Sequence, residues 1–485
     1  MPATFGLALL AGAAGAQPAE SPPDARAILA QARAALGSET ALAAAADIEA
    51  ELKGRTYAVE QAGDPEDMTV TAGRTYRWWF DADGGRALRE AEQLFPGGVR
   101  FFTSAALTPA GGWSVDVNKW RTGVDLETVS PAGVKTELPR WERIFPHLAL
   151  RQAAAAGESL KATAKGGLSY TDSGGDQIEL SFDPTTRLMT SAAVMRAGVV
   201  QSESIYGDYG REAGVMLPRS VQQRLAGQLR EDLRLGAVRF GQAPEARFAP
   251  PAGYAPPPAS SSPATRRLAP GAWVFENMPG GYRSMVVDAS DHLVVLEAPL
   301  SPDYAEAQKR LIAQIAPGKP VRYVVVTHPH GDHVGGLKTW AEAGAVIVVA
   351  DGGGVAIRRQ LVARNLTRGV LIEEVRGRRT LGAGAGRIDL HAFGSAHSRA
   401  HLLAHLPGSR LLFQGDMLYV PDRGDPPPAF TITGDLFEQI RLRKLDVQTV
   451  VGVHGRPATL AEARQSLERG RREGWGLAPA VAPRP

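Results

Sequence analysis

A run of apolar β-formers that ends on four metal-type side chains constrains this chain more than any other feature. Val324-Val325-Val326-Thr327 reads as a strand buried on both faces. It leads directly into His328-Pro329-His330-Gly331-Asp332-His333. In extended chain the side chains at i and i+2 point the same way, so His328 and His330 converge on one point. Pro329 helps, because the residue before a proline is pushed to extended geometry. Gly331 then permits a sharp turn that lets Asp332 and His333 face a second point. A single histidine is usually a surface residue or a hydrogen-bonded core residue. Four donors crowded at a strand end have no packing use and a clear use as metal ligands. Imidazole and carboxylate without thiolate suit zinc, and also iron or manganese.

Around that cluster the texture of the chain changes twice. Residues 24–46 are Ala-rich, with Leu29, Ala32 and Leu36 at helical spacing, and read as a short helix. Residues 48–248 show short alternating stretches broken by Gly, Pro and Asp turns. Residues 177–182 alternate and are followed by Asp183-Pro184-Thr185-Thr186, and residues 217–225 and 229–240 flank Ala226-Gly227. This predicts an antiparallel sheet with one wet face. Residues 250–268 are rich in Pro, Ser and Ala, lack the apolar pattern of a core and mark a linker. Beyond it, strand-like runs at 284–296, 322–326, 345–349, 388–393, 402–406, 411–413 and 447–453 mix with helical patterns at 303–315, 335–343 and 436–445. Such a mixture, with some runs apolar throughout, argues for sheets covered by helices. The division expected is a leader at 1–23, an N-terminal β-rich domain at 24–249, the linker at 250–268, a second domain at 269–470 and a tail at 471–485.

Composition removes several classes of function. The 485 residues are enough for two or three domains. The 54 Lys and Arg against 51 Asp and Glu leave a net charge of only +3, and no basic tract interleaves with aromatics, which argues against a nucleic-acid partner. The chain has no cysteine, which excludes disulfides, thiolate nucleophiles and thiolate metal sites. Residues 4–16 are a short apolar run ending in Ala14-Gly15-Ala16, a small-x-small pattern, after which the chain turns polar. This reads as a secretory signal peptide and predicts a periplasmic or secreted protein. The run is too short to span a bilayer and no later segment is long enough, so no transmembrane segment is expected.

Thr327-His328-Pro329-His330-Gly331-Asp332-His333-Val334-Gly335-Gly336 resembles the hydrolase motif of the metallo-β-lactamase superfamily. Later stations match in order. Gly394-Ser395-Ala396-His397-Ser398 resembles the next ligand station, Leu412-Phe413-Gln414-Gly415-Asp416 the strand-end Gly-Asp, and Val453-His454-Gly455 the final histidine. The resemblance spans residues 269–467. It implies an α+β protein with an αββα metallo-β-lactamase sandwich in the C-terminal half, preceded by an antiparallel, half-barrel-like domain. It further implies that His328, His330 and His397 hold one divalent metal ion, that Asp332, His333 and His454 hold another, and that Asp416 bridges them. Zinc is the preferred identity, with iron or manganese as alternatives, and the ions are expected about 3.5–4 Å apart. His401, four residues after His397, is read either as an orienting residue or as a solvent-facing strand position. His147, His292, His391 and His405 are read as structural or exposed, Trp340 as core, and Arg358, Arg359, Arg376, Arg378 and Arg379 as solvated.

The chemistry implied is hydrolysis of a small molecule by a metal-bound hydroxide, with Asp332 as the catalytic residue that accepts a proton from water. The bond is an ester, thioester, lactone or related linkage. Absence of Cys and presence of Asp416 set the chain apart from the β-lactamase subclasses, although β-lactamase stays among the alternatives. Two others stand beside it. Tyr206-Gly207-Asp208-Tyr209 and Leu217-Pro218 resemble periplasmic half-barrels that hold lipid-like ligands, so the chain is alternatively a binding protein with a weakly active metal domain. The same ligand set also serves one-iron persulfide dioxygenases. All seven candidate ligands lie beyond the linker, which predicts two separable bodies with the chemistry confined to the second.

Overall fold

In the computed structural model of the chain, residues 24–67, 69–241 and 245–473 are described. The expected signal peptide, and the tail from residue 474, lie outside them. Among the described residues the N-terminal half forms one 13-stranded antiparallel sheet. Its first strand, Asp47–Val59, pairs in the middle of the sheet with its last, Gln228–Phe240, and the other strands run outward as a meander on each side. Strict alternation produces this. Ile48, Ala50 and Leu52 are buried while Glu49, Glu51 and Lys53 between them are not. Tyr76, Trp78 and Phe80 of Thr69–Asp81 line the same face, and helices Ala25–Leu36 and Pro146–Ala155 cover it with Leu29, Ala32, Leu36, Leu148 and Leu150. The hairpin between Val215–Leu225 and Gln228–Phe240 turns on Ala226 and Gly227, both at positive φ, 48° and 78°. That pair of left-handed residues matches the twist of the flanking strands.

Three expectations for this half need correction. Residues 24–46 hold two helices, because Gly37 stops the first and the Ser38 hydroxyl caps Glu39–Ala44 by accepting from Ala41 N–H. Residues 131–155, expected as part of the sheet, form the helices Pro131–Glu142 and Pro146–Ala155. Each opens with proline at its first turn, where a missing N–H costs nothing. The Pro-rich linker is only partly a linker. Phe248 and Tyr254 pack with Trp79, Leu88 and Trp113, Trp113 Nε1–H donates to Phe248 O (2.7 Å) and Tyr254 O–H donates to Asp116 O (3.1 Å). Tyr254 within it and Phe248 just before it are enough to anchor it. Ala264–Ala269 is already the first strand of the next sheet.

The C-terminal half stacks a 7-stranded and a 6-stranded sheet face to face. Val274, Met285, Val287, Leu296, Val325 and Val348 of the first meet Leu390, Leu402, Ala404, Phe413 and Val451 of the second. Helices Pro302–Ile315, Leu337–Glu342 and Gly354–Ala363 cover the outside of the first sheet, and Thr431–Leu442 and Leu460–Arg472 the outside of the second. This is the αββα sandwich. The final helix is fixed by a capping box between Thr459 and Glu462 and runs two residues past the expected boundary at 470.

The two halves do not stand apart. Residues 60–67, which connect the first two N-terminal strands, lie against the C-terminal domain. Gly331 N–H donates to Glu60 O (2.7 Å) and Arg399 N–H to Gly63 O (2.7 Å). Arg364 pairs with Glu60 (3.1 Å), Arg399 with Asp64 (2.6 Å), and Arg359, expected to be solvated, donates to Glu66 O (2.9 Å). Val99 and Trp120 form a joint apolar cluster with Tyr419, Phe430 and Ile432. The picture of two bodies joined only through a linker is therefore replaced by a docked pair.

Candidate metal centre

Strand Val321–Val325 ends at the entrance of a cleft, and the loops after Ile388–Phe393, Leu411–Gln414 and Thr449–Gly452 open onto the same place. They bring together all seven residues singled out from the sequence. His328, His330, His397 and Asp416 form one group and Asp332, His333, Asp416 and His454 a second, the donor atoms of each lying within 4.8 Å of one another. His328 Nε2 is 3.0 Å from His330 Nδ1 and 3.2 Å from His397 Nε2. Asp416 serves both groups with different oxygens. Its Oδ2 faces His397 Nε2 (3.3 Å), while its Oδ1 is 3.1 Å from both His333 Nε2 and His454 Nε2. Asp332 Oδ2 lies 3.5 Å from His333 Nε2 and 3.8 Å from His454 Nε2.

These residues fit divalent cations on two counts. Imidazole nitrogens at 3.0–3.2 Å match the edges of a tetrahedral shell with bonds of about 2 Å. Buried polar atoms are left over as well, for His333 Nε2 and Asp416 Oδ1 have no hydrogen-bond partner although both are buried. Electrostatics point the same way. Burial, with further help from His333 and His330, pushes the His328 imidazole well below its ordinary range, and burial takes His330 down to about 3, so both offer free lone pairs. Burial acts against charge on His333 too, but Asp416, Asp332 and Glu297 outweigh it and drive its pKa up. Three carboxylates around one imidazole leave the cluster in need of positive charge.

Orientation comes from partners that spacing could not reveal. Buried Glu297, which follows the apolar strand Leu293–Leu296, accepts from Thr327 N–H (2.7 Å) and lies 3.3 Å from His333 Nδ1. A carboxylate ending an apolar run was the available signal. Tyr282 O–H donates to Asp332 Oδ2 (2.8 Å), and its ring meets His454 edge-on while Tyr419 stacks flat on that imidazole. Two contacts come from the N-terminal domain. Gln61 Nε2–H donates to Asp332 Oδ1 (2.6 Å), and His330 Nε2–H donates to Ala62 O (3.1 Å), which leaves Nδ1 free to serve as a ligand. No local signal marks Gln61 or Ala62, since they lie some 270 residues from their partners.

Gly331 was expected to supply a turn. It keeps ordinary backbone geometry, and its need for glycine is close approach, because a Cβ there would lie 2.6 Å from Glu60 Oε2 and 2.8 Å from Glu60 Cβ. His401 is neither exposed nor a donor to the cluster. It is fully buried and stacks between His328 (5.0 Å) and Phe393 (5.0 Å), backing the His328 ring. Structural roles hold for His147, which donates to Ala45 O (3.1 Å), and His405, which donates to Asp446 O (3.0 Å). Trp340 is core.

Gly415, before Asp416, has no room for a side chain. A Cβ there would sit 2.4 Å from Thr327 Oγ1 and 2.9 Å from His328 Nδ1. Gly415→Ala is expected to tilt the His328 ring and weaken metal binding about 10–100-fold, the usual cost of disturbing a ligand's support. Competition against a chromophoric chelator measures it, and unchanged affinity would show that the ring is not held by this contact.

Residues 278–454 match the family model described as Metallo-beta-lactamase superfamily. Among solved structures the chain is similar to a metallo-beta-lactamase from Pontibacter korlensis, with 17% identity and a TM-score of 0.35 over 43% of this chain and 99% of that one. It is also similar to a metallo beta lactamase from Hirschia baltica (17%, TM-score 0.33, 43% and 98%). A third, from Erythrobacter litoralis with beta mercaptoethanol in the active site, gives 19%, 0.34, 43% and 96%. No curated protein matches the chain.

Proposed function

Proceeding from a C-terminal domain that belongs to the metallo-beta-lactamase superfamily, we propose that this chain is an exported two-metal hydrolase that cleaves an ester, thioester, lactone or related carbonyl bond of a small molecule. The observation that carries this reading is Asp416, whose two oxygens face two separate sets of donors. His328, His330 and His397 would hold one ion and Asp332, His333 and His454 the other, with Asp416 between. Divalent ions there would supply a water of lowered pKa and offset negative charge developing on the carbonyl oxygen. Zinc is proposed on the imidazole and carboxylate donors.

The chain's own groups supply the rest. Asp332 accepts the proton released by the attacking water. Gln61 and Tyr282 each grip one of its oxygens and keep the carboxylate plane from rotating. Val70, Phe95, Val99 and Phe101 wall the cleft, whose cavity is about 180 Å³. That is a little above the ~150 Å³ that accommodates a benzene ring, so a small acyl or aryl group fits while bulk water is displaced. Helices cover the apolar face of the N-terminal sheet, which speaks against an open lipid groove, while a cavity of about 490 Å³ beside Val134 and Leu138 is the observation that favours a lipid-binding module.

Metal content of protein purified without added metal tests the reading. The expected result is close to two equivalents of zinc, with hydrolysis of a 4-nitrophenyl ester lost on chelation and restored by zinc. One equivalent of iron with oxygen uptake on a persulfide would instead establish the dioxygenase, and metal-free protein that binds none on titration would overturn both.

A further inference from the structure

The cleft has an unlike pair of features beside its acidic and imidazole floor. Four apolar side chains, Val70, Phe95, Val99 and Phe101, come from the N-terminal domain, and among them stands one cation, Arg121. Its guanidinium lies 5.9 Å from the centre of the Phe101 ring. Its backbone N–H is held by Asp116 Oδ2 (2.7 Å), directly after Trp120, which is buried in the joint core, so its Cα is fixed relative to the floor. Its charge reaches the Tyr282 hydroxyl that bonds Asp332.

Three other arginines near the two-domain contact are paired with carboxylates. Arg364 pairs with Glu60, Arg399 with Asp64 and Arg423 with Asp125. Arg121 lines the cavity and has no carboxylate within ion-pair distance among the described residues. A guanidinium that lines a small cavity without a carboxylate partner is matched by a carboxylate, which can take two parallel hydrogen bonds from it. The apolar side chains that share the cavity with Arg121 and the metal-type floor call for an apolar spacer.

We propose that Arg121 is the specificity-determining residue of this cleft, holding the carboxylate of an anionic substrate whose apolar middle lies on Phe95 and Phe101 and whose scissile carbonyl sits over Asp332 and Asp416. This rests on the hydrolase reading and narrows it to acyl compounds that carry a second, charged end. The N-terminal domain then selects the substrate while the C-terminal domain breaks the bond.

The test uses the full chain loaded with zinc and two esters of equal length, 4-nitrophenyl hexanoate and the mono-4-nitrophenyl ester of adipic acid. Wild type is expected to prefer the anionic ester at least tenfold in kcat/KM. Arg121→Gln is expected to lower that ratio on the order of 10- to 100-fold, the usual worth of a charge-assisted hydrogen bond. Arg121→Glu is expected to bring it below one. A merely structural role would lower both rates together and leave the ratio where it was. A wild-type ratio near one, or the same ratio in Arg121→Gln, overturns the assignment. Should neither ester be cleaved, the hydrolase reading fails and calorimetry decides the assignment separately, with adipic acid monoanilide and hexananilide as ligands. Tighter binding of the charged anilide that Arg121→Gln abolishes supports it, and equal binding of the two overturns it.

Discussion

Replacing Asp332 by asparagine is expected to cut turnover about a thousandfold, within the range for loss of a general base, while the fold survives. The substitution keeps the shape of the side chain. Its remaining oxygen can accept from Gln61 Nε2, and the new amide can donate to the Tyr282 hydroxyl, which serves equally as donor or acceptor, so both present contacts have a replacement. What disappears is the negative charge and the capacity to take a proton. His333 and His454 lie within 3.8 Å of the same oxygen, so metal affinity falls somewhat, and the rate must be compared at matched occupancy. Circular dichroism and metal analysis establish that occupancy and the fold. Equal activity at equal metal content would remove Asp332 from the catalytic step.

The second large effect concerns the division of labour between the halves. Residues 256–263 are exposed and belong to no helix or strand, so a protease site placed there should be cut without harm. The nicked protein is expected to elute as one species and keep more than half of its activity. The contacts at 60–67 and the cluster of Val99 and Trp120 with Tyr419, Phe430 and Ile432 do not depend on the linker. The isolated C-terminal half, from residue 264, is expected to lose on the order of 100-fold or more. It would lack the Ala62 carbonyl that sets the His330 nitrogen, the Gln61 amide on Asp332 and the apolar wall of the cleft. It would also expose Tyr419, Phe430 and Ile432, which invites association. A soluble fragment with full activity would restore the simpler picture of a site contained in one domain.

The sequence by itself marked the candidate ligands and the layers of the C-terminal domain. His328, His330, Asp332 and His333 are adjacent in the chain, and His397, Asp416 and His454 each end or follow an apolar run, so a local pattern marks all of them. Alternation likewise marked the hairpin at 215–240, because a two-residue turn and a period of two are local properties. The helices at 131–155 carry no clear local signal, because within a β-rich context short helical periods are hard to tell from broken strands. Only the tertiary structure decided what surrounds the metal-type residues. Gln61, Ala62, Phe95, Phe101 and Arg121 reach the cleft across a domain contact, and none carries a sequence signal. The reason is physical. A ligand cluster must be built from specific donor atoms and so shows in residue identity. A supporting carbonyl or an apolar wall can come from almost any residue, and only the docking of two bodies places it.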